Sequence, residues 1–339
     1  MYTSALRPFV WAYIMSTALS LCPPFQGSFN ASILDLYPES ADWDPVHCKI
    51  YFGLYYNASV AVYDPYRDEF ELIDFPWITG NDDYTITGID YDGMGSMYFA
   101  ATSYTAFVAT TSGNPALANF TGPNSIIRYD TNTRKILWIT DLVPIQKEVF
   151  RQTGKLITGF QDMAEDNQGN TYVIGTFGSI IVKINRNGGI VRSGDKIVIN
   201  DRVAPGLLTF DINEPRGYPV YVHPEGFPTN YTGGGDGLLL PSRYGGKVIL
   251  WSDDFYGTRV VGSRNNWKTA EYVGLVLMDD NLSRQGGYTT GSFEVGQAIY
   301  SLTEFFQPTR SVKPKQEFLM VDMTEQIDEL VKDWEGKTW

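Results

Sequence analysis

The chain has 339 residues, a formal net charge of −13 and a pI near 4.6, and only 19% of its residues are charged. Nucleic-acid binding rests on Lys and Arg neutralising phosphates, so 26 basic against 39 acidic residues, with no basic block, excludes that class. Aromatics reach 14%, led by 22 Tyr and 19 Phe beside 33 Gly, a composition that suits turn-rich sheets.

At the N-terminus, Arg7 precedes an apolar run from Phe9 to Leu21, with small residues Ala18 and Ser20 ahead of Cys22. This is the grammar of a secretory signal. The run is short for a membrane span, so the sequence predicts a cleaved leader over residues 1–21, with an anchor or a buried segment as alternatives. Residues 22–339 are then expected to form one domain. Sequons at Asn30, Asn57, Asn119, Asn230 and Asn281 fit passage through a glycosylating compartment, so the expected location is the secretory pathway or outside the cell. Cys22 and Cys48 lack metal or redox spacing, which leaves buried filler or one disulfide.

A short pattern then recurs. Ser40-Ala41-Asp42-Trp43-Asp44 leads to Lys49–Phe52 and Val60–Asp64. Gly88-Ile89-Asp90-Tyr91-Asp92 leads to Met97–Phe99 and Ile126–Asp130. Asp162-Met163-Ala164-Glu165-Asp166 leads to Tyr172–Ile174 and Ile181–Asn185. Each copy is a strand ending in an acid, a Gly- or Pro-containing turn and a returning aromatic or β-branched strand, that is, hairpins in series. A fourth strand such as Lys135–Ile139 completes a propeller blade, and about 50 residues per blade predicts an all-β, six-bladed β-propeller. Leu207–Asp211 is expected to start the fourth blade and Gly237–Leu240 the fifth. Lys247–Trp251, Tyr272–Met278, Ala298–Phe306 and Glu317–Met323 are read as later strands. A short C-terminal helix over Thr324–Trp334 has Ile327, Leu330, Val331 and Trp334 on one face and Thr324 as its cap.

The residue before each inner strand points into one mouth of the channel, which selects Glu39, Thr87 and Gln161, then Gly206 and Asp236. Glu39 and Asp236 are the candidate catalytic or metal-binding acids, since a carboxylate held at a channel mouth can act as acid, base or ligand. Thr87, Gln161, Asp162, His223, Arg243 and Tyr244 are the candidate substrate-binding residues. His47 is expected to serve the first hairpin turn. Asp253-Asp254 and Asp279-Asp280 are expected to solvate strand ends, because they lack an EF-hand loop. No G-x-S-x-G, H-E-x-x-H or P-loop is present.

Two resemblances meet at these residues. Glu39-Ser40-Ala41-Asp42-Trp43-Asp44 resembles the E-G-P-x-W-D opening of the regucalcin/gluconolactonase family, and Asp236-Gly237-Leu238 its late D-G segment. That likeness implies a divalent metal held by the two acids beside a lactone, although Thr87 and Gln161 stand where that family carries Asn. Over its whole length the chain resembles the fungal trichothecene-cluster propeller family, the fourteenth-gene product of that pathway. The likeness is carried by Asp42–Cys48, Gln161–Asp166 and Asp236–Arg243. It implies a role in sesquiterpenoid biosynthesis, with closure of an oxygen heterocycle and loss of an allylic hydroxyl as water. The leading expectation is therefore a cyclase or dehydratase that needs no cofactor and acts on a small terpenoid, as a monomer with no nucleic acid and no membrane span after leader cleavage. The alternatives are a Ca2+-dependent (or other divalent-metal) lactone hydrolase and a non-catalytic propeller that binds a small molecule in transport or virulence.

Overall fold

The hairpin units read from the repeats are antiparallel sheets in the computed structural model, which describes residues 22–111, 122–166, 168–177, 180–188, 190–191, 196–200, 206–211, 219–229, 231, 234–306 and 314–337. The leader over 1–21 and the sequons at Asn119 and Asn230 lie outside the described residues. Strand β1 (Phe29–Ser32) comes first. One sheet follows in order β2 (Ala41–Asp44), β3 (Lys49–Leu54), β4 (Ser59–Asp64) and β5 (Glu69–Ile73). The next holds β6 (Tyr84–Tyr91), β7 (Ser96–Ser103), β8 (Ser125–Asp130) and β9 (Lys135–Asp141), with helix α1 (Tyr104–Thr111) inserted after β7. Helix α2 (Val143–Thr153) leads to β10 (Thr158–Glu165), β11 (Thr171–Phe177), β12 (Ile180–Ile184) and β13 (Ile190–Val191).

The later chain departs from the expected regularity. β14 (Lys196–Asn200), β15 (Leu207–Asp211) and β16 (Val220–Val222) form a three-stranded sheet, so Leu207–Asp211 is its middle strand and not the first of a blade. β18 (Gly235–Leu239), β19 (Val248–Asp253), β20 (Gly257–Gly262) and β21 (Ala270–Leu277) make the next sheet, to which β17 (Pro224–Glu225) adds in parallel at β21. After helix α3 (Asp280–Arg284) come β22 (Tyr288–Val295), β23 (Ala298–Glu304), β24 (Glu317–Asp322) and helix α4 (Thr324–Glu335). The architecture is an all-β propeller with a small C-terminal helix. Six equal four-stranded blades are not what the described residues form: five sheets have four or five strands and one has three.

Burial follows position in a sheet. β4 is buried at every residue, whereas in the outer β5 only Ile73 is buried. Middle strands are covered on both faces by neighbouring sheets, and the aromatic and β-branched residues at these positions fill the space between them. One such core joins the first and last sheets through Phe52, Tyr55, Phe293, Tyr300, Leu302 and Phe318. Truncating one of these phenylalanines to Ala is expected to cost about 3–5 kcal/mol.

The ring is closed by its ends. β1 pairs antiparallel with β24, Phe29 opposite Met320, and becomes the outer strand of the last sheet. Cys22 and Cys48 form a disulfide that ties the segment before β1 to the β2–β3 turn. α4 buries Ile327, Val331 and Trp334 as expected, but its cap differs. Thr324 is the first helical residue, its N–H donates to Asp322 Oδ1, and its Oγ1 accepts from Ile299 N. Helices α1 and α2 were not expected; α2 begins with Pro144 in its first turn and ends at Gly154 with φ 70°.

Candidate functional site

The site is set by a backbone irregularity repeated around the ring. The innermost strands β6, β10, β18 and β22 each carry a bulge in their pairing, which falls at Thr87, Gln161, Asp236-Gly237 and Thr290. A bulge re-aims the side chain of the extra residue, and here it does so at one level of one channel. Glu39 takes the corresponding place just before β2, where the Ser40 carbonyl accepts from Gly53 N.

Close packing explains the residue that follows. A Cβ at Gly88 would collide with the Gln161 carbonyl, and one at Gly237 would lie 2.8 Å from the Thr290 carbonyl oxygen. A Cβ at Gly291 would lie 3.6 Å from the Glu39 carbonyl oxygen. Inner strands thus approach closely where the next residue is Gly. At the other two positions a side chain spans the gap: Ser40 Oγ accepts from Ile89 N at 3.0 Å, and the Asp162 carboxylate accepts from the Leu238 N–H. Asp162 therefore joins β10 to β18 and holds the ring together. Burial, only partly offset by the Met163 and Leu238 N–H groups, pushes its pKa up to about 6.

Within this ring Gln161 Nε2 donates to Glu39 Oε1 at 3.2 Å. β2 and β10 are separated by β6, so the bond crosses the channel. Thr87, buried, lies between them and directs its hydroxyl at the Phe160 and Ala100 carbonyls at 3.3 and 3.4 Å. Glu39 is 6% exposed, and Asp236 is half-buried in its bulge. Four of the five mouth residues expected from sequence thus occupy one ring. Gly206, which precedes the middle strand β15, does not.

Antiparallel neighbours end where the inner strands begin, and their terminal residues build a rim. β3 runs into Tyr55 and Tyr56, β7 into Tyr104, β23 into Glu304, Phe305 and Phe306, and β22 opens at Tyr288. Ring centroids lie 4.9 Å apart for Tyr55 and Tyr56, 6.4 Å for Tyr56 and Tyr104, 5.9 Å for Tyr55 and Phe306, and 5.7 Å for Tyr288 and Phe306. Phe107 and Phe255 extend this wall through Phe306 and Tyr288. Burial and then the nearby Glu39 carboxylate push the Tyr55 phenol well above its usual range, with Glu304 acting in the same direction.

Below the ring the channel is lined by acids. Asp42, Asp90 and Glu165 are linked by carboxyl hydrogen bonds, Asp42 to Asp90 and Asp90 to Glu165. Burial raises all three, Glu165 to about 7, and the neighbouring acid raises Asp42 and Asp90 further. Asp42 Oδ2 also accepts from Tyr91 N at 2.7 Å, stitching β2 to β6.

The remaining candidates lie elsewhere. Arg243 and Tyr244 follow β18 at its far end and bind α4, Arg243 Nη2 donating to Asp328 Oδ2 at 2.6 Å and Tyr244 Oη to Asp328 Oδ1 at 2.7 Å. His223 is exposed between β16 and β17. His47 Nδ1 lies 2.7 Å from Asp44 Oδ2 in the first hairpin turn. Asp279 caps α3, and its Oδ1 accepts from Asn281 N at 2.8 Å. A cleft of about 120 Å3 lined by Thr258, Met278, Asp279, Thr289 and Gln326 runs between two sheets, not down the channel. Sequence reasoning missed Thr290 and Glu304. Thr290-Gly291 repeats Thr87-Gly88 and Asp236-Gly237, a signal that was available; Glu304 carried none.

Residues 19–201 match the family model described as Mal s 1 allergenic protein-like. The chain belongs to this family. The crystal structure of the Malassezia sympodialis allergen Mala s 1 superposes with a TM-score of 0.73 at 16% identity, covering 88% of this chain and 96% of that one, which shows the shared fold. Two curated relatives span almost the whole length. A Trichoderma arundinaceum protein named trichothecene biosynthesis protein 14 is 23% identical over 91% of this chain and 92% of its own. A Fusarium sporotrichioides protein named core trichothecene cluster protein 14 is 23% identical over 91% and 88%. This member of the Mal s 1-like family is thus similar to the fungal cluster proteins named in the whole-length resemblance. Among the described residues no three His, Cys, Asp or Glu side chains are grouped to hold a metal ion, and no helix is long and apolar enough to cross a membrane.

Proposed function

We propose that the protein acts in the biosynthesis of a trichothecene-type sesquiterpenoid, closing an oxygen heterocycle by acid–base catalysis without a cofactor. The observation that carries this reading is the Glu39–Gln161 bond across the channel beneath a rim of tyrosine and phenylalanine. The names of the two curated relatives support the substrate class. The aromatic wall suits a rigid apolar skeleton, and the carboxyl below it suits the hydroxyls that react.

In this reaction an allylic hydroxyl is protonated and its C–O bond breaks, the electron pair leaving with water. A second hydroxyl of the same molecule attacks the carbon so exposed, forms the new C–O bond and gives its proton to a base. The substrate loses one water overall. Glu39, oriented by Gln161, is the base, and the acid is a second carboxyl of the site, for which the place of Asp236 in the ring makes it one candidate. Holding the skeleton so that the attacking oxygen meets that carbon supplies the rest of the acceleration.

Incubation of the purified protein with a hydroxylated sesquiterpenoid bearing an allylic alcohol, followed by mass spectrometry, tests this. Loss of water faster than in buffer is expected, and no acceleration overturns it. The same assay with a chelator separates the second reading, a Ca2+-dependent lactone hydrolase. That reading fits the residues poorly, because Gln161 and Thr87 stand in place of the asparagines of the metal family and Gln161 already engages Glu39. A non-catalytic carrier would bind the terpenoid and leave it unchanged.

We further propose that residues 22–339 form one monomeric, secreted domain whose three-stranded sheet counts as a sixth, incomplete blade, and that residues 1–21 are a cleaved leader. The three described sequon asparagines, Asn30, Asn57 and Asn281, are all exposed. N-terminal sequencing and enzymatic deglycosylation of the secreted protein test these points.

A further inference from the structure

β23 has a face that breaks its own pattern. The strand alternates, so Tyr300, Leu302 and Glu304 look toward the first sheet, while Ile299 packs toward α4. Tyr300 and Leu302 lie in the apolar core with Tyr37, Tyr55 and Phe318. Glu304, next on that face, is 0% exposed, and neither carboxyl oxygen meets a side-chain donor among the described residues. An acid that completes a hydrophobic row without an ion pair is costly in its charged form and is poorly explained by stability.

Its surroundings are the rim of the proposed site. Glu304 is the register partner of Tyr288, and Phe306, two residues on, touches both Tyr55 and Tyr288. Tyr55 feels both Glu39 and Glu304, which puts the two acids near one phenol. We infer that Glu304 is the proton donor of the site, with Glu39 as the proton acceptor, so that the acid role falls to Glu304 and not to Asp236. The inference rests on the cyclisation reading above.

Burial holds the Glu304 carboxyl far above the usual carboxylate range, opposed only by the Phe305 N–H. The titratable groups facing it are Glu39 ahead of β2, Tyr37 between β1 and β2, Tyr55 at the end of β3 and Tyr288 at the start of β22. Behind Tyr55 lie Tyr56 and Tyr104, and Asp35 lies beyond Tyr37. Lys315 Nζ lies over the Phe305 ring, 4.3 Å from its centroid. Among the described residues no side chain pairs with Glu304, and burial favours its protonated form. Closed to solvent, it gives its proton to a substrate hydroxyl inserted among the rim rings. The proton taken up by Glu39 passes to solvent, and Glu304 is reprotonated from solvent when product leaves.

The test is a pH–rate series on the wild type, Glu304→Gln, Glu304→Asp and Asp236→Asn with the allylic alcohol. The wild-type rate is expected to fall as pH rises through the Glu304 pKa. Glu304→Gln should lose roughly 10²- to 10⁴-fold in kcat together with that falling limb, the range general acid catalysis contributes. Glu304→Asp should restore part of the rate, and the falling limb should persist in Asp236→Asn whatever its rate. Full activity in Glu304→Gln, or disappearance of the limb in Asp236→Asn, overturns the inference. Should Glu304→Gln not fold, the Asp236→Asn profile still decides. A wild type with no acceleration defeats the cyclisation reading instead, and infrared detection of a protonated carboxyl at pH 7, absent from Glu304→Gln, then tests Glu304 on its own.

Discussion

Along the same innermost strands, the two levels of the channel carry acids in opposite ways. At the bulge ring Glu39 accepts from an amide across the channel, and its nearest strand neighbours present hydroxyls or a bare glycine backbone. One turn of pairing lower, Asp42, Asp90 and Glu165 are bonded acid to acid, and Asp42 also accepts from a backbone N–H of the next strand. The lower acids satisfy one another by sharing protons, and their hydrogen bonds run between adjacent sheets. The upper acid is bonded to a neutral group, buried beneath the rim. Position along a strand, and not residue type, separates the acids that close the ring from the acid that can do chemistry.

The strongest way to break this contrast is to neutralise one acid at each level. Glu39→Gln is expected to lower turnover of the allylic alcohol by about 10²- to 10⁴-fold while the melting temperature stays close to wild type. Unchanged turnover would move the chemistry out of the ring.

The pH dependence of stability reads the acids that join the inner strands. Asp162 and Glu165 have folded-state pKa values raised to about 6 and about 7, so the native state keeps protons that the unfolded chain has already lost. Their contribution is therefore complete below the unfolded-state pKa and is lost as pH rises through 6 to 7, an effect on the order of 2–3 kcal/mol each. Asp64 and Asp166, whose pKa values are lowered, act only at more acidic pH. Urea unfolding is expected to show higher stability at pH 5 than at pH 8. A flat profile would mean that the acid chain does not share protons.

Asp90→Asn sharpens the point, because it removes the middle acid of the chain. Stability at pH 8 should rise by about 1–2 kcal/mol as a repulsive neighbour of Asp42 disappears, with turnover within about threefold of wild type. A large loss of activity would merge the two levels. The smallest effect is expected at Asp328→Asn, which weakens the partly exposed contact of Arg243 and Tyr244 with α4, by up to about 1 kcal/mol, and leaves KM unchanged. A raised KM would return Arg243 and Tyr244 to the substrate site.

Legibility followed the repeats. From Ser40 to Asn185 the spacing of acid, turn and β-branched strand placed the first three sheets, and counting one residue back from each inner strand found Glu39, Thr87 and Gln161. The same counting failed at Leu207 because β14 precedes it, which makes Leu207–Asp211 a middle strand. β20 and β22 were hidden by their glycines, which in a single sequence read as turns but here permit close approach. α2 announced itself with Pro144 and Gly154 and was overlooked beside the β pattern. Glu304 was out of reach in principle: its strand was recognised, but an acid at a strand end is ordinary until the apolar row beneath it and the rings beside it are assembled in space.

The strand that closes the last sheet has a consequence for how the protein is made. β1 leaves the ribosome well before its partner β24, and the Asp322 N–H to Ser28 Oγ bond spans 294 residues of sequence. Until then the edge of β1 is unpaired and the apolar faces of the first and last sheets are uncovered, the condition that slows folding and invites wrong partners. Growth of the chain is therefore the slow clock of assembly, and a translation product stopped before Glu317 would hold most of its sheets while still lacking the strand that seals them into a ring.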